Sequence, residues 1–462
     1  MTAEFLADLQ RSLPAPAIVI SDTKTGYETD WLDEFDGRAI AILRPETTQE
    51  VSDALRLCAR HGVSVIPQGG NTGLVGGAAP VACGPVVILQ LGRMNRIRRI
   101  DPQENAVIVD AGCVLSNLQE AAQEVDRLFP LSLGSEGTAQ IGGLISTNAG
   151  GIMALRHGVM RDLVLGLEVV LPDGTIWSDL STLRKRNVGI DPKHLFIGAE
   201  GTLGVVTAAS LRLVPRPRCH FTAWMALNDL HSATRLCNLA MAQSGGMVDA
   251  CELIPRQGVE FALAHVGAAR PPADPMPEWS VLLELSGNDA NALEMVMMGL
   301  FESAMDQGLV TDGVLASSEA QRQSLWLLRE AIVEGQRLAG PQLKHDVAVP
   351  VSSVAAFINS ATKAVLTIEP DARISAFGHL GDGNIHFNLT LPDGADRKLL
   401  ERSVYQVALD HDGTLSAEHG LGRKKDLLTR ELGAGHGFPI DLKSLIDPHD
   451  RINPGCLAAL RG

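Results

Sequence analysis

Three glycine-rich stretches lie in the N-terminal half of this chain, each set between short apolar runs. The first runs Pro67-Gln68-Gly69-Gly70-Asn71-Thr72-Gly73-Leu74 and continues through Val75 to Gly76 and Gly77. The second links Leu133-Gly134-Ser135 to Gly142-Gly143 and then to Thr147-Asn148-Ala149-Gly150-Gly151; the third spans Gly198 to Val206 and contains Glu200, Gly201, Gly204 and Val205. Glycine at this density removes side chains, so that backbone N–H groups can converge on an anion. No Gly-Lys-Ser/Thr follows the first stretch and no Gly-x-Gly-x-x-Gly opens a helix, so neither a Walker loop nor a Rossmann fingerprint accounts for it. One such stretch reads equally well as a surface turn. Three in one domain predict a backbone wrapped around a long, flat, diphosphate-bearing ligand, and a dinucleotide such as FAD has that shape.

The segments between the glycines alternate in the manner of a mixed α and β domain. Strands are expected at Ala39 to Leu43, Val63 to Pro67, Val86 to Leu89 and Ala106 to Asp110. Apolar residues at helical spacing (Val51, Leu55, Cys58) predict a helix over Glu50 to His61, and the Asp173-Gly174 turn predicts a hairpin from Leu167 to Trp177. Two prolines between Arg212 and Arg218 mark a domain end. The expected organisation is an N-terminal segment (1–38), a cofactor domain (39–217), a substrate domain with an antiparallel sheet and flanking helices (218–415), and a helical C-terminal segment (416–462), an α+β protein overall. In the third part, strands such as Trp279 to Leu285 alternate with helices such as Ala290 to Ala304.

With 462 residues, the chain is long enough to bury a large core without disulfides. A net charge of -15 excludes the broad basic face that nucleic acid requires. The seven cysteines are odd in number and form no Cys-x-x-Cys pair, which suits reduced, mostly buried thiols. Apolar runs such as Val164 to Leu171 stop short of the roughly 18 residues of a membrane span. The amino terminus, with Glu4, Asp8 and Arg11 among its apolar residues, reads as a first helix rather than a secretory signal. A soluble, cytoplasmic enzyme is the expectation.

A second constellation lies downstream: Gly378-His379-Leu380-Gly381-Asp382-Gly383-Asn384-Ile385-His386-Phe387-Asn388, followed by Ser416-Ala417-Glu418-His419-Gly420. The Gly-Asp-Gly turn lets the chain double back, so that His379 and His386 can converge, and strand periodicity puts His386 and Asn388 on one face. A lone histidine in such a place more often caps a turn. Two imidazoles, an amide on the same face and a later Glu-His pair point instead to a divalent cation held by His379, His386 and Glu418; zinc, manganese and cobalt all accept such a set.

The segment Arg44 to Val51, the Gln68 to Gly77 loop, the Asn148 to Gly151 segment and Glu200 to Thr207, taken in order, resemble the FAD-binding domain of the vanillyl-alcohol oxidase and para-cresol methylhydroxylase flavoproteins. The resemblance implies that Gln68 to Leu74 hold the pyrophosphate and that Gly142, Gly143, Thr147, Asn148, Gly151 and Val206 line the remaining FAD sites. It extends the cofactor set to Pro67, Gly76, Leu133, Gly134, Ser135, Gly150, Glu200, Gly201, Gly204, Val205 and Asn453. The pyrophosphate loop offers no His, Tyr or Cys, so noncovalent FAD is expected.

His379 to Asn388 with Glu418-His419-Gly420 is similar to the pattern of the FAD-linked D-2-hydroxy acid dehydrogenases, the group that includes D-2-hydroxyglutarate and D-lactate dehydrogenases. That likeness implies metal ligation by His379, His386 and Glu418, substrate contact by Asn388, Arg329 and Lys344, and a catalytic base at His419. An imidazole titrates near neutral pH, which suits it to take the hydroxyl proton while the α-hydride leaves. The implied reaction oxidises a D-2-hydroxy acid, of the D-2-hydroxyglutarate, D-lactate or D-malate type, to the 2-oxo acid. The electron acceptor stays open among an electron-transfer flavoprotein, a quinone and a cytochrome, and a homodimer is one assembly the sequence leaves open. One departure stands out: where the hydroxyglutarate enzymes carry a hydroxyl residue one helical turn after the arginine, this chain has Val333. The alternatives are an oxidase using oxygen and a non-catalytic flavin-carrying subunit of a glycolate-oxidase-like complex; a passive subunit has no need of a metal set and a base.

Overall fold

The computed structural model describes residues 2–20, 25–81, 84–434 and 441–458. Cys83 lies outside them. The chain divides into two compact units, the first made of Met1–Gly150, Gly158–Arg216 and Glu418–Gly462, the second of Gly151–His157 and Pro217–Ala417. Both helices and sheets build each unit, as an α+β reading requires.

In the first unit, strands Ala41–Leu43 and Ser64–Gln68 lie parallel on either side of Val86–Gln90. Every residue of that central strand is buried, as expected when both faces of a parallel sheet are covered. The crossover is the helix Thr48–His61, where the Thr47 side chain accepts the Glu50 N–H and Gly62 ends the helix in the left-handed region (φ 65°). Val51, Ala54, Leu55 and Cys58 form its buried stripe. Gln68, Gly69 and the residues after them leave the carboxyl end of the Ser64–Gln68 strand, the position where open α/β sheets place their ligands.

The second sheet of this unit is antiparallel, in the order Ile97–Asp101, Ala106–Asp110, Val205–Arg212, Val164–Val170, Ile176–Asp179. Its last two strands are the hairpin expected at Asp173-Gly174, with Gly174 at φ 82°. Residues of the third segment complete the unit: Val65 donates its N–H to Arg451 O, and Asn453 donates to Val65 O (2.8 Å each).

The second unit is built on an antiparallel sheet in the order Val310–Leu315, Cys219–Leu227, Trp279–Gly287, Val248–Pro255, Arg373–His379, Asn384–Thr390, Gln342–Leu343, with Asp346–Ala348 also paired to Asn384–Thr390. Helices Arg256–His265 and Glu319–Leu338 pack on it through Val259, Ala262, Leu325, Leu328 and Ile332. The short Gly151–His157 excursion joins this unit through Arg156, whose Nη1 bonds Asp249 Oδ1 and Ser286 Oγ (2.6 Å each). One helical stretch, Val351–Ile368, is apolar and long enough to cross a membrane by length and composition (mean hydropathy 1.3), although Ser352, Ser353, Asn359, Ser360 and Lys363 interrupt its apolar residues. Val354, Phe357, Ile358, Ala361 and Val365 of this stretch are buried.

His220, Asp249 and Glu284 bring possible metal-ligating atoms within 4.8 Å of one another. The carboxylates there are already engaged: Asp249 by Arg156, and Glu284 by the Arg322 Nε and Nη2 (2.7 and 2.8 Å), Thr222 Oγ1 and Trp326 Nε1. This is a fully bonded ion-pair network. Burial pushes the Glu284 carboxyl up, but the bonds from His220, Arg322 and Thr222 outweigh it and bring it from 4.5 down to about 2. A depressed folded-state value stabilises the protein above pH 4.5 and loses that contribution as pH falls toward 2. Glu284→Gln is therefore expected to lower stability by on the order of 3 kcal/mol at pH 7 and much less at pH 2.5. Urea denaturation at the two pH values checks this, and equal losses at both would contradict it.

Candidate active site

Strands Arg373–His379 and Asn384–Thr390 pair antiparallel, with His379 opposite Asn384 and Phe377 opposite His386. Gly378 (φ 152°) and Gly383 (φ 78°) take backbone conformations that side chains resist, and a Cβ on Gly383 would sit 2.0 Å from Val349 O. The turn thus returns the chain so that the two imidazoles meet edge to face, centroids 5.7 Å apart. Ile385 and Phe387 are fully buried on the opposite face.

His379 is held by a residue that sequence reading missed. Glu252, on the neighbouring strand Val248–Pro255 and 1% exposed, accepts from His379 Nδ1 at 2.7 Å through Oε1. Its Oε2 accepts from Arg329 Nε at 2.8 Å, and the Nη2 of the same guanidinium makes an ion-pair contact with it at 2.8 Å. Burial alone would raise the Glu252 carboxyl; the charges of His379 and Arg329 and their hydrogen bonds bring it instead to about 2. Glutamate in an apolar strand carries no motif of its own, and only the register that sets Glu252 opposite His379 singles it out.

Arg329 lies on the buried stripe of the helix Glu319–Leu338, its guanidinium 4.9 Å from the Phe377 ring centroid. Val333, one turn on, is 43% exposed. Asn388 is buried and accepts the His345 N–H through Oδ1 (3.3 Å) while its Nδ2 donates to Gln336 Oε1 (3.2 Å). Lys344 lies half-buried between strands Gln342–Leu343 and Asp346–Ala348.

In the first unit, the glycine stretches separate into two kinds. A Cβ on Gly70 would sit 2.0 Å from Thr138 O and one on Gly142 2.9 Å from the Ala111 Cβ, so these glycines permit close packing. A Cβ on Gly73, Gly134 or Gly143 would meet nothing within 4 Å. Those three border open space, as a cofactor cradle requires. Several polar side chains of the stretches brace the loops: Gln68 Nε2 donates to Tyr27 O and Ala78 O, Asn71 Nδ2 to Thr29 O, and Asn148 Oδ1 accepts the Arg161 N–H. Asn453 Nδ2 ties Gly77 O to Glu200 O (3.0 and 2.9 Å).

Glu418 and His419 also belong to the first unit. Gly150 leaves room for the Glu418 side chain, since a Cβ there would lie 3.1 Å from Glu418 Oε1. Just beyond His419, the Glu200 carboxylate accepts the N–H groups of Leu421 and Gly422 (2.8 and 2.9 Å). Burial raises its carboxyl against the pull of those N–H groups. Gly420, at φ 81°, passes so close that a Cβ would sit 2.6 Å from Glu200 Oε1. Glu200 therefore fastens the segment that carries Glu418 and His419.

An FAD binding domain model matches residues 39–179, and a model of the FAD linked oxidases' C-terminal domain matches residues 216–457. The chain is 37% identical over 461 residues to the mitochondrial D-2-hydroxyglutarate dehydrogenase of Bos taurus, covering 97% of this chain and 82% of that one. The chain belongs to the FAD-linked D-2-hydroxy acid dehydrogenases. The D-2-hydroxyglutarate–pyruvate transhydrogenase of Saccharomyces cerevisiae is 33% identical over 439 residues, 93% of this dehydrogenase and 88% of the yeast protein. Among solved structures, p-cresol methylhydroxylase superposes with a TM-score of 0.75 at 15% identity, over 98% of this chain and 96% of that one, which places the dehydrogenase in the expected flavoprotein fold. The cytoplasmic expectation is corrected by these relatives: those of Bos taurus, Rattus norvegicus and Arabidopsis thaliana are mitochondrial enzymes. Reduced cysteines and an acidic surface suit any reducing compartment, so they could not separate the two.

Proposed function

We propose that this FAD-dependent enzyme oxidises a D-2-hydroxy acid to the 2-oxo acid on a divalent cation held by His379, His386 and Glu418, with noncovalent FAD. The observation that carries the reading is the imidazole pair of the 373–390 hairpin, in which the Glu252 carboxylate bonds His379 Nδ1. Metal-bound histidines characteristically donate their other nitrogen to a carboxylate in this way. When bound, the cation would acidify the substrate hydroxyl and FAD would accept the hydride.

The chain's own residues do the rest. His419 takes the hydroxyl proton at an imidazole nitrogen. Arg329 bonds the substrate carboxylate with the donors it does not spend on Glu252, and Lys344 adds a second positive charge. Asn388 orients the substrate. Val333 offers no hydrogen bond to a distal carboxylate, which favours a compact side chain such as that of D-lactate over D-2-hydroxyglutarate.

Anaerobic mixing with a panel of D- and L-2-hydroxy acids, followed by flavin absorbance, tests this. Bleaching by D-lactate more readily than by D-2-hydroxyglutarate, and by neither L-enantiomer, is expected; bleaching by the L-acids alone would refute the assignment. Rapid peroxide formation in air would favour the oxidase alternative. Denaturation should release the flavin into solution.

A further inference from the structure

We propose that the 183–191 loop of the first unit docks this enzyme on an anionic membrane surface, its aliphatic side chains entering among lipid headgroups that its cations attract. The loop joins the edge strand Ile176–Asp179 to the short helix Lys193–Phe196. Both ends are fixed. Ser210 Oγ donates to Ser181 O (2.8 Å), Thr182 Oγ1 donates to Glu104 Oε2 (2.9 Å), and Phe196 stacks on Trp177 with centroids 5.9 Å apart. Between those ends, every residue from Leu183 to Asp191 is exposed.

Three large aliphatic side chains gathered on one exposed turn mark an interaction site. Ile190 is 93% exposed, Val188 81% and Leu183 65%, and the first two are the most exposed large apolar side chains among the described residues. Gly189 between them has φ 86°, and a Cβ there would meet nothing within 4 Å, so a turn in open solvent carries the pair. The charge is local as well. Although the whole chain stands at -15, Ser181 to Lys193 holds four basic residues and one acidic. Arg186 pairs with Asp179 and Lys193 with Asp191, whereas Arg184 and Lys185 make no hydrogen bond or ion pair among the described residues. Cations beside protruding aliphatics are the composition that partitions into an anionic lipid interface. Screening beyond roughly 8 Å at physiological salt keeps the distant acidic surface from cancelling them. A protein partner fits less well, since a stable interface engages about 20–30 residues a side and this loop exposes nine. Two copies meeting loop to loop would oppose like charges.

Co-sedimentation of the FAD-loaded protein with vesicles tests this. Binding is expected to vesicles in which a third of the lipid is phosphatidylglycerol, to weaken as salt rises, and to be at least about 10-fold weaker with phosphatidylcholine alone. Arg184→Gln with Lys185→Gln is expected to lower the partition coefficient about 25-fold, a factor of about five for each cation. Val188→Ser with Ile190→Ser should lower it on the order of 10- to 100-fold. Flavin content and turnover in solution should match the wild type in both, since no residue of the loop belongs to the proposed active site or cofactor cradle. Wild-type protein that ignores both kinds of vesicle, or binding untouched by both pairs of substitutions, would overturn the proposal.

Trypsin supplies a measurement on the unaltered chain. Arg184, Lys185 and Arg186 stand in an exposed loop, so limited digestion is expected to cut there, and the phosphatidylglycerol vesicles to slow that cut by about 10-fold. Cleavage unchanged by the vesicles would overturn the proposal. Protection by polyglutamate but not by vesicles would do so too, assigning the loop to an acidic protein partner. A dimer in sedimentation velocity that Arg184→Gln with Lys185→Gln dissociates would likewise overturn it and assign the loop to a second copy of this chain.

Discussion

Replacement of His419 by alanine is expected to leave FAD content unchanged and to slow flavin reduction by a D-2-hydroxy acid by roughly 100- to 10,000-fold, the usual range for a positioned acid or base. The substitution removes the group proposed to take the hydroxyl proton without touching the proposed cofactor cradle at Gly73, Gly134 and Gly143, which border open space. Nor should it release its segment, because the Glu200 carboxylate grips the backbone of Leu421 and Gly422 and not the His419 ring. Stopped-flow reduction under anaerobic conditions reads the step directly. A rate within a few-fold of wild type would move the base elsewhere.

Exhaustive chelation is expected to bring turnover down by more than about 100-fold, since a Lewis acid at a developing alkoxide contributes several kcal/mol. Zinc or manganese should restore it. The same loss, without rescue, is expected of His386→Ala, whose ring meets that of His379 edge to face. The FAD spectrum should persist in both cases. Full activity in a sample that elemental analysis finds free of divalent ions would sink this role.

Local signals made much of this fold legible in the sequence. Apolar spacing (Val51, Leu55, Cys58) points to a helix over Glu50 to His61, within the observed Thr48–His61, and short apolar runs mark the strands at Ala39 to Leu43 and Val63 to Pro67 beside it. The His379 to Asn388 hairpin was equally clear, because Gly-Asp-Gly is a turn whatever surrounds it. What could not be read depends on register between distant strands. Glu252 gains its meaning only where Val248–Pro255 meets Arg373–His379, and Ile97–Asp101 hides as a strand because Arg98 and Arg99 reach the acidic side chains of Asp110 and Asp101. Glu200 was assigned by resemblance to the cofactor, yet its carboxylate is spent on Leu421, Gly422 and the Cys456 thiol. The reason is proximity across more than two hundred residues, which no pattern within the third glycine stretch can express.

The pairing of Val65 with Arg451 and Asn453, and the tie from Asn453 to Gly77, carry a consequence for biosynthesis. The strand that leads into the glycine loop is made early, but its last neighbours are translated only after the intervening Pro217–Ala417 unit. At about 5–20 residues per second, a ribosome needs some tens of seconds to cover that distance. Meanwhile the nascent first unit lacks the Arg451 and Asn453 partners of Val65, and the carbonyl of Gly77 lacks its brace, so the sheet margin and the glycine loop are completed only as the last residues emerge.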